Sequence, residues 1–304
     1  MTMTMSTELA ATEGADPRYT DLDIWPTASI LDALAEAQMA ATAVVRNAVP
    51  EIERVVEAAV PKLLSGGRLF YVGAGTSGRI GLQDGVELVP TFGWPPERLV
   101  LLLAGGTGAV FQAAEGAEDD EDQARTDILA HAPGSNDVVL GIAASGATPY
   151  ACAAISMARE KGSLTVGISC NAQGRLLRVS ELAIRLITGP EVVSGSTRLK
   201  AGTAQKAALN LLSTTLMTRL GHVYRGLMVD MRVTNAKLQR RAVRMVQQLA
   251  GGSEEEIVAA LQETGGNVKR AVLLRHGLSL AEAETRLDMA DGSLRTVLAD
   301  LHQC

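Results

Sequence analysis

Cysteine is scarce in this 304-residue chain: Cys152, Cys170 and Cys304 lie far apart, with no CxxC pair. That spacing excludes a disulfide framework and a zinc knuckle, and leaves Cys152 and Cys170 as packing residues. The four histidines (His131, His222, His276, His302) are scattered without HExxH or similar ligand spacing, so they read as surface or capping residues. No metal is expected. Basic charge is also thin, with 28 Lys and Arg against 34 Asp and Glu and a net charge of -6. There is no basic stripe of the kind nucleic acid needs, and the one local exception, "KLQRRAVR" from Lys237, reads as the solvated face of a helix. No uninterrupted apolar run approaches a membrane span, and "MTMTMSTELAATEG" lacks the regions of a signal peptide. The expectation is a cytoplasmic protein with no nucleic-acid or membrane partner.

What is present is apolar residue: 47% of the chain is hydrophobic, ample for a large core in one large or two ordinary domains. Residues 1 to about 20 are polar and weakly patterned, and read as a flexible arm or a strand-like extension. "TASILDALAEAQMAATAVVRNAV" and "EIERVVEAAVPKLLSGG" carry apolar residues at helical spacing, the second closed by Gly66 and Gly67. Short apolar runs then alternate with helical stretches. "RLFYV", "RLVLLLA", "DVVLGIAA", "LTVGIS" and "ELAIRLI" read as strands. "AVFQAAEGA", "DDEDQARTDILA" and "ACAAISMAREKG" read as helices between them. This is the pattern of an α/β fold, a doubly wound parallel sheet covered on both faces. A long helix is expected from about Lys200 and another near Thr234. Three short helices follow Gly251, with Ser253 and Ser279 as N-caps.

Gly73, Gly75 and Gly78 spell GxGxxG directly after the first strand, which brings bare N–H groups to a helix N-terminus and suits an anion. A dinucleotide site would place a carboxylate at the tip of the second strand, but that strand ends "LLLAGGTG". The loop instead carries Thr76 and Ser77. A second strand-to-helix loop, "IAASGATPY", repeats the theme with Ser145, Gly146 and Thr148. Two hydroxyl-rich loops at the carboxyl ends of parallel strands suit one phosphomonoester better than a pyrophosphate. The plainer alternative is that these hydroxyls cap their helices. A third stretch, "GPEVVSGSTRLKAGTAQK", offers Ser196, Thr197 and Lys200 to the same anion, with Ser194, Arg198 and Lys206 nearby.

In these blocks the chain resembles the N-acetylmuramic acid 6-phosphate etherases, members of the sugar isomerase (SIS) group. The likeness runs from "TEG" at Thr12 to the C-terminal helices through "GAGTSGR", "AEGAEDD", "GIAASGATPY", "TVGISCN", "GSTRLKAGTAQK" and "LMVDMRVTNAKL". It implies an N-terminal arm and helix (1–47), a SIS phosphosugar-binding domain (48–250) and a helical module of ubiquitin-associated type (251–304). It also implies a homodimer with active sites near the interface and no cofactor. The reaction implied is cleavage of the D-lactyl ether of N-acetylmuramic acid 6-phosphate, a phosphorylated amino sugar. The resemblance places the catalytic acid on Glu87 and the base on Glu118, with Glu115 a rival base three residues away. The apolar flanks of "GVELVP" suggest a pocket that would raise the pKa of Glu87 as an acid requires. Asp119, Asp120, Glu121 and Asp122 read as a solvated run. Where the family's usual motif is DASE followed by CPPT, this chain has Asp84-Gly85-Val86-Glu87 and then Leu88-Val89-Pro90-Thr91. Both carboxylates survive with altered neighbours, which leaves open a changed substrate or a paralogue. A SIS-type sugar-phosphate isomerase and a non-catalytic sensor related to glucokinase regulatory protein are the alternatives, the latter disfavoured because only one SIS domain is visible.

Overall fold

A computed structural model describes residues 11–112 and 114–301. His302, Cys304 and the first ten residues, on which part of the expected arm falls, lie outside the described residues. Three short 3-10 turns open the described chain, at Ala11–Glu13, Pro17–Tyr19 and Leu22–Ile24. Thr12 is fully buried here, so this part of the expected arm is neither free nor a strand. Its backbone N–H donates to Asn171 Oδ1 at 3.4 Å and its hydroxyl accepts from Asn171 Nδ2 at 3.0 Å.

Helices α1 (Thr27–Asn47) and α2 (Val49–Leu64) precede the sheet as the spacing predicts, and Gly66 closes α2 at a φ of 87°. By length and mean hydropathy α1 would suffice to cross a membrane. It carries Asp32 and Glu36, however, and buries only the stripe Ala33, Ala37, Ala41 and Val45. That spacing is one face of a helix packed on a core. Then follow β1 (Leu69–Gly73), α3 (Gly75–Phe92), β2 (Leu99–Leu103), α4 (Glu121–Ala130), β3 (Val138–Ala143), α5 (Pro149–Glu160), β4 (Leu164–Ser169), α6 (Arg175–Val179), β5 (Leu182–Arg185) and α7 (Lys200–Arg219). Strand order is β2-β1-β3-β4-β5, and the β1/β3, β3/β4 and β4/β5 pairs are parallel. Every residue of β1, β3 and β4 is buried, as strands covered on both faces require.

Helix α5 sits close to the sheet because its inner face is small: Ala151, Cys152, Ala153, Ala154 and Ala158 are buried. A Cβ on Gly141 of β3 would lie 2.5 Å from Ile155 Cγ1, so this close approach depends on glycine. Cys152 and Cys170 are buried as packing residues, and burial pushes their thiols up to about 11 and about 12.

The described residues form two compact units, one within 11–84 and 100–212, the other within 85–99 and 213–301. The second contains a short antiparallel ribbon, β6 (Val223–Tyr224) and β7 (Leu227–Met228), then α8 (Ala236–Ala250), α9 (Glu254–Glu263), α10 (Val268–Arg275), α11 (Leu280–Met289) and α12 (Leu294–Leu301). Four helices therefore follow Gly251 where three were expected. Ser253 and Ser279 do cap theirs, each within a reciprocal capping box with Glu256 and Glu282. Lys237, Arg240, Arg241 and Arg244 are exposed on α8, the solvated face expected of them. His131 and His276 stand at the C-caps of α4 and α10. His222 departs from the surface reading: it is half-buried, with Nδ1 2.8 Å from Asp230 Oδ2, and the buried Lys269 pairs with the same carboxylate. Among the described residues of 109–117 no α-helix forms; 3-10 turns cover Thr107–Val110 and Ala117–Asp119 instead.

Candidate active site

Strand order 2-1-3-4-5 reverses direction between β1 and β3, and the crevice at the carboxyl ends of such a pair is where open α/β sheets take ligands. Both hydroxyl-bearing loops lie there. Gly73 ends β1 and packs on Gly78 in the first turn of α3. A Cβ on Gly73 would lie 2.8 Å from Gly78 Cα, and one on Gly78 would lie 2.7 Å from Gly73 C and 2.4 Å from Leu103 Cδ1. The first and third glycines thus let the helix start directly over the strand. Gly75 enters α3 at a φ of 53°, is exposed, and faces open space.

The second loop leaves β3 through Ser145 and Gly146 and enters α5 at Pro149. Thr148 stands at the N-cap position, yet its side chain makes no capping bond, so the capping alternative does not account for it. Ser145 Oγ accepts from the Ala147 N–H at 3.2 Å. Thr76, Ser145 and Thr148 are half-buried, while Ser77 is buried and bridges the two loops. Its Oγ accepts from the Ala144 N–H at 3.3 Å and donates to Gln205 Oε1 at 2.9 Å.

Asn171, just beyond β4, locks the second loop from below. Its Nδ2 donates to the Ala144 and Ser145 carbonyls at 3.2 and 3.1 Å as well as to Thr12. Gly146 has a φ of 67° and touches Ser169 and Gly174. Asn171 and Gln205 were missed as individual residues although both sit inside the quoted blocks "TVGISCN" and "GTAQK". A lone amide carries no chemical signature until its partners are known.

The third stretch behaves differently. Glu191 is buried and accepts the N–H groups of Lys200 and Ala201, both at 2.9 Å, so the chain's own carboxylate occupies the start of α7. Lys200 Nζ donates to the Thr188 carbonyl at 3.0 Å. Ser196 and Thr197 are half-buried in the preceding turn, and the first turn of α7 approaches Thr76, with a Cβ on Gly202 falling 3.7 Å from Thr76 Cγ2. Lys206 bonds Asn210, and Asn210 in turn donates to Asp84.

The carboxylates are less enclosed than the flanking sequence suggests. Glu87 is exposed beside Val86, itself 49% exposed, so the apolar pocket expected around it is not formed within one chain. Asp84 is buried instead, accepting from Tyr71 Oη at 2.9 Å and anchoring α3 to β1. Burial, reinforced by Asp84, pushes the Tyr71 hydroxyl well above its usual range. Glu118 is exposed in a 3-10 turn, Ala117–Asp119, that follows Gly116 at a φ of 73°. Glu115 lies on the other side of that left-handed residue, so the two glutamates do not share a helical face. Nor is the acidic run merely solvated: Asp120 caps α4 through the Gln123 N–H, and Glu121 pairs with Arg175 and Arg125. The bond from Arg175 is the chief cause holding the Glu121 carboxyl below its usual range, against the opposing effect of burial. Among the described residues no group of three or more His, Cys, Asp or Glu is placed to hold a metal.

Residues 51–159 match the glucokinase regulatory protein N-terminal SIS domain, and residues 116–215 match the SIS domain. A Bacteroides fragilis crystal structure described as a phosphosugar isomerase involved in capsule formation shares the fold, with a TM-score of 0.50 at 20% identity over 65% of this chain and 94% of that one. Whole-length relatives are far more similar. The N-acetylmuramic acid 6-phosphate etherase of Deinococcus radiodurans is 51% identical over 97% of both chains. Those of an Enterobacter species and Mycolicibacterium smegmatis are each 45% identical over 94% of this chain and 97% of their own. Identity of this extent along nearly the whole chain, on a SIS fold with two glycine-built loops at the strand-order reversal, establishes that the chain belongs to the N-acetylmuramic acid 6-phosphate etherase family.

Proposed function

We propose that this enzyme cleaves the D-lactyl ether of N-acetylmuramic acid 6-phosphate, giving N-acetylglucosamine 6-phosphate and D-lactate without a cofactor, in cell-wall recycling in the cytoplasm. The observation that carries the reading is the pair of glycine loops at the β1/β3 reversal, with the Thr148 hydroxyl uncommitted to capping. The phosphate sits at the start of α3 and α5, facing Gly75, Thr76, Ser77, Ser145, Gly146 and Thr148. Helix N-termini and hydroxyl donors together favour a doubly charged monoester. Because Glu191 fills the start of α7, the contribution of Ser196, Thr197 and Lys200 is to the sugar or to the wall of the site.

An ether oxygen at sugar C3 leaves poorly unless C2 carries a carbanion. Ring opening exposes the C1 aldehyde, which acidifies the C2 proton. Glu118 removes that proton, the C3–O bond breaks, and Glu87 protonates the departing lactate oxygen. Water then adds to C3 of the unsaturated aldehyde and C2 regains a proton, so the net change is hydrolysis.

Helix geometry supports a Glu87 supplied by the second copy. Glu87 stands twelve residues beyond Gly75 in α3, an axial rise of about 18 Å. Phosphorus and C3 of a sugar 6-phosphate are five bonds apart, at most about 7 Å. A sugar held at the start of α3 is therefore beyond reach of the Glu87 further along the same helix, and the acid comes from a second copy. Exposed apolar side chains support a homodimer: Leu31 and Met39 lie two turns apart on α1, at 60% and 66% exposure. Contact with the second copy would also supply the apolar surroundings that Glu87 lacks alone.

Release of D-lactate from N-acetylmuramic acid 6-phosphate tests the activity. In deuterium oxide the elimination route places deuterium at C2 of the product; direct displacement at C3 would leave C2 unlabelled. Interconversion of an aldose and ketose phosphate without lactate release would favour the isomerase alternative.

A further inference from the structure

Gln205 lies on α7 with no exposed surface, and its Nε2 has no hydrogen-bond partner. A buried donor left unpaired is costly and rare, more so than an under-used carbonyl oxygen. Its other amide atom, Oε1, accepts the only proton that Ser77 can give. Ser77 meanwhile accepts from the Ala144 N–H. In this arrangement the Ser77 hydroxyl, in the first turn of α3, points its proton into the protein and has none for an anion, beside an amide with a donor to spare.

A half-turn of the terminal amide of Gln205 exchanges its oxygen and nitrogen within the same envelope, which pairs the idle donor and frees the Ser77 proton. Nε2 then donates to Ser77 Oγ. With the Ala144 N–H also donating, both lone pairs of Ser77 are filled from within, and its proton can point only outward. We infer that Gln205 is a positioning residue, whose amide donates to Ser77 and so turns the Ser77 hydroxyl proton toward the substrate phosphate. The amide left over is an oxygen without a donor, the cheaper of the two defects. In the arrangement with Oε1 toward Ser77, the same side chain competes with phosphate for that proton, so ligand binding and amide orientation are coupled. This inference rests on the phosphate reading above for its consequence, though not for the orientation of the amide.

Two measurements test it. In wild-type protein with glutamine side chains labelled with nitrogen-15 and N-acetylglucosamine 6-phosphate present, nuclear Overhauser effects should connect the Gln205 amide protons to the Ser77 β protons. Their absence under saturating ligand would overturn the inference. The second uses calorimetry of N-acetylglucosamine 6-phosphate binding at pH 8. Ser77→Ala should weaken binding by about ten-fold or more in the wild-type background, the worth of a charge-assisted bond. In a Gln205→Glu background, confirmed as folded by its melting temperature, the added Ser77→Ala should weaken binding by less than about two-fold. Glutamate at that position only accepts, so it has already taken the Ser77 proton inward, and its through-space repulsion of the phosphate is common to both members of the pair. An equal penalty for Ser77→Ala in the two backgrounds would show that Gln205 does not act through Ser77. Wild-type protein that binds no N-acetylglucosamine 6-phosphate would refute the phosphate reading and with it the consequence for binding, while the amide protons still report the orientation.

Discussion

Gly146→Ala probes the phosphate loop where the geometry is tightest. The residue has a φ of 67°, and an added Cβ would lie 2.4 Å from Ser169 Oγ, 2.8 Å from Gly174 Cα and 3.2 Å from Ser169 Cβ. Holding an L-residue in the left-handed region costs about 1–2 kcal/mol. Forcing a methyl into packed surroundings adds about 1–3 kcal/mol, toward the upper end here because Gly174 Cα is backbone and Ser169 Oγ is tied to both the carbonyl and the N–H of Asn171. Gly189→Ala is the control: its φ is 68°, but nothing lies within 4 Å of the added atom, so only the conformational cost applies. Urea unfolding followed by circular dichroism should therefore show Gly146→Ala less stable than Gly189→Ala by about 1–3 kcal/mol. Ser145 and Thr148 flank the collision, so kcat/KM for lactate release should fall further than stability alone explains. Equal midpoints for the two variants would mean that the loop does not pack on Ser169 and Gly174, and the site would have to be rebuilt.

Thr148→Ala should leave the melting temperature within a degree or so, because the side chain makes no capping bond, and raise KM for the phosphosugar. A stability loss with unchanged KM would make Thr148 a cap. Asp137 supplies a pH dependence. Burial raises its carboxyl, but bonds from the Arg68 side chain and backbone and from the Gly134 N–H outweigh that and hold it below its usual value. A depressed carboxyl stabilises the fold above its unfolded value of about 3.9 and loses that contribution as pH falls through the folded value. Asp137→Asn should therefore destabilise at neutral pH and flatten the acid limb below about pH 4; an acid limb unchanged from wild type would remove Asp137 as its source. Glu87→Gln should stop lactate release yet still let solvent deuterium into C2 of the bound sugar, whereas Glu118→Gln should lose both. The reverse pattern exchanges the roles, and loss only in Glu115→Gln moves the base.

The parts of the fold legible in the sequence were those governed by local pattern. β1, β3 and β4 announce themselves because strands buried on both faces are apolar throughout, and Ser253 and Ser279 because a cap and its glutamate are three residues apart. "AVFQAAEGA" misleads for a local reason too. Its residues favour a helix, but Gly105, Gly106 and Gly116 take left-handed φ values, and Phe111 is 90% exposed, with no core to fold against. Helix α6 is only five residues long, too short to show a period. The start of one C-terminal helix went unnoticed because Asn267, which caps α10 through the Arg270 N–H, has no glutamate three residues on to mark it as Ser253 and Ser279 have. At the site, the glycines and hydroxyls were visible as types at spacings. Thr12, Asn171, Glu191 and Gln205 were not, since each matters through a partner that spacing does not announce, more than a hundred residues away for the Thr12–Asn171 and Ser77–Gln205 pairs.

In the proposed mechanism a phosphosugar held by the loops of one chain receives its acid from another. Ser145→Asp places a carboxylate against the phosphate, and Glu87→Gln removes the acid; each homodimer should be inactive. When the two variants are unfolded and refolded together, half the dimers are mixed, and each mixed dimer has one site with intact loops and an intact glutamate from the second copy. Lactate release should return to about a quarter of the wild-type rate per chain. No recovery, with mixed dimers verified by mass spectrometry, would place the loops and Glu87 in the same subunit's site and contradict the account.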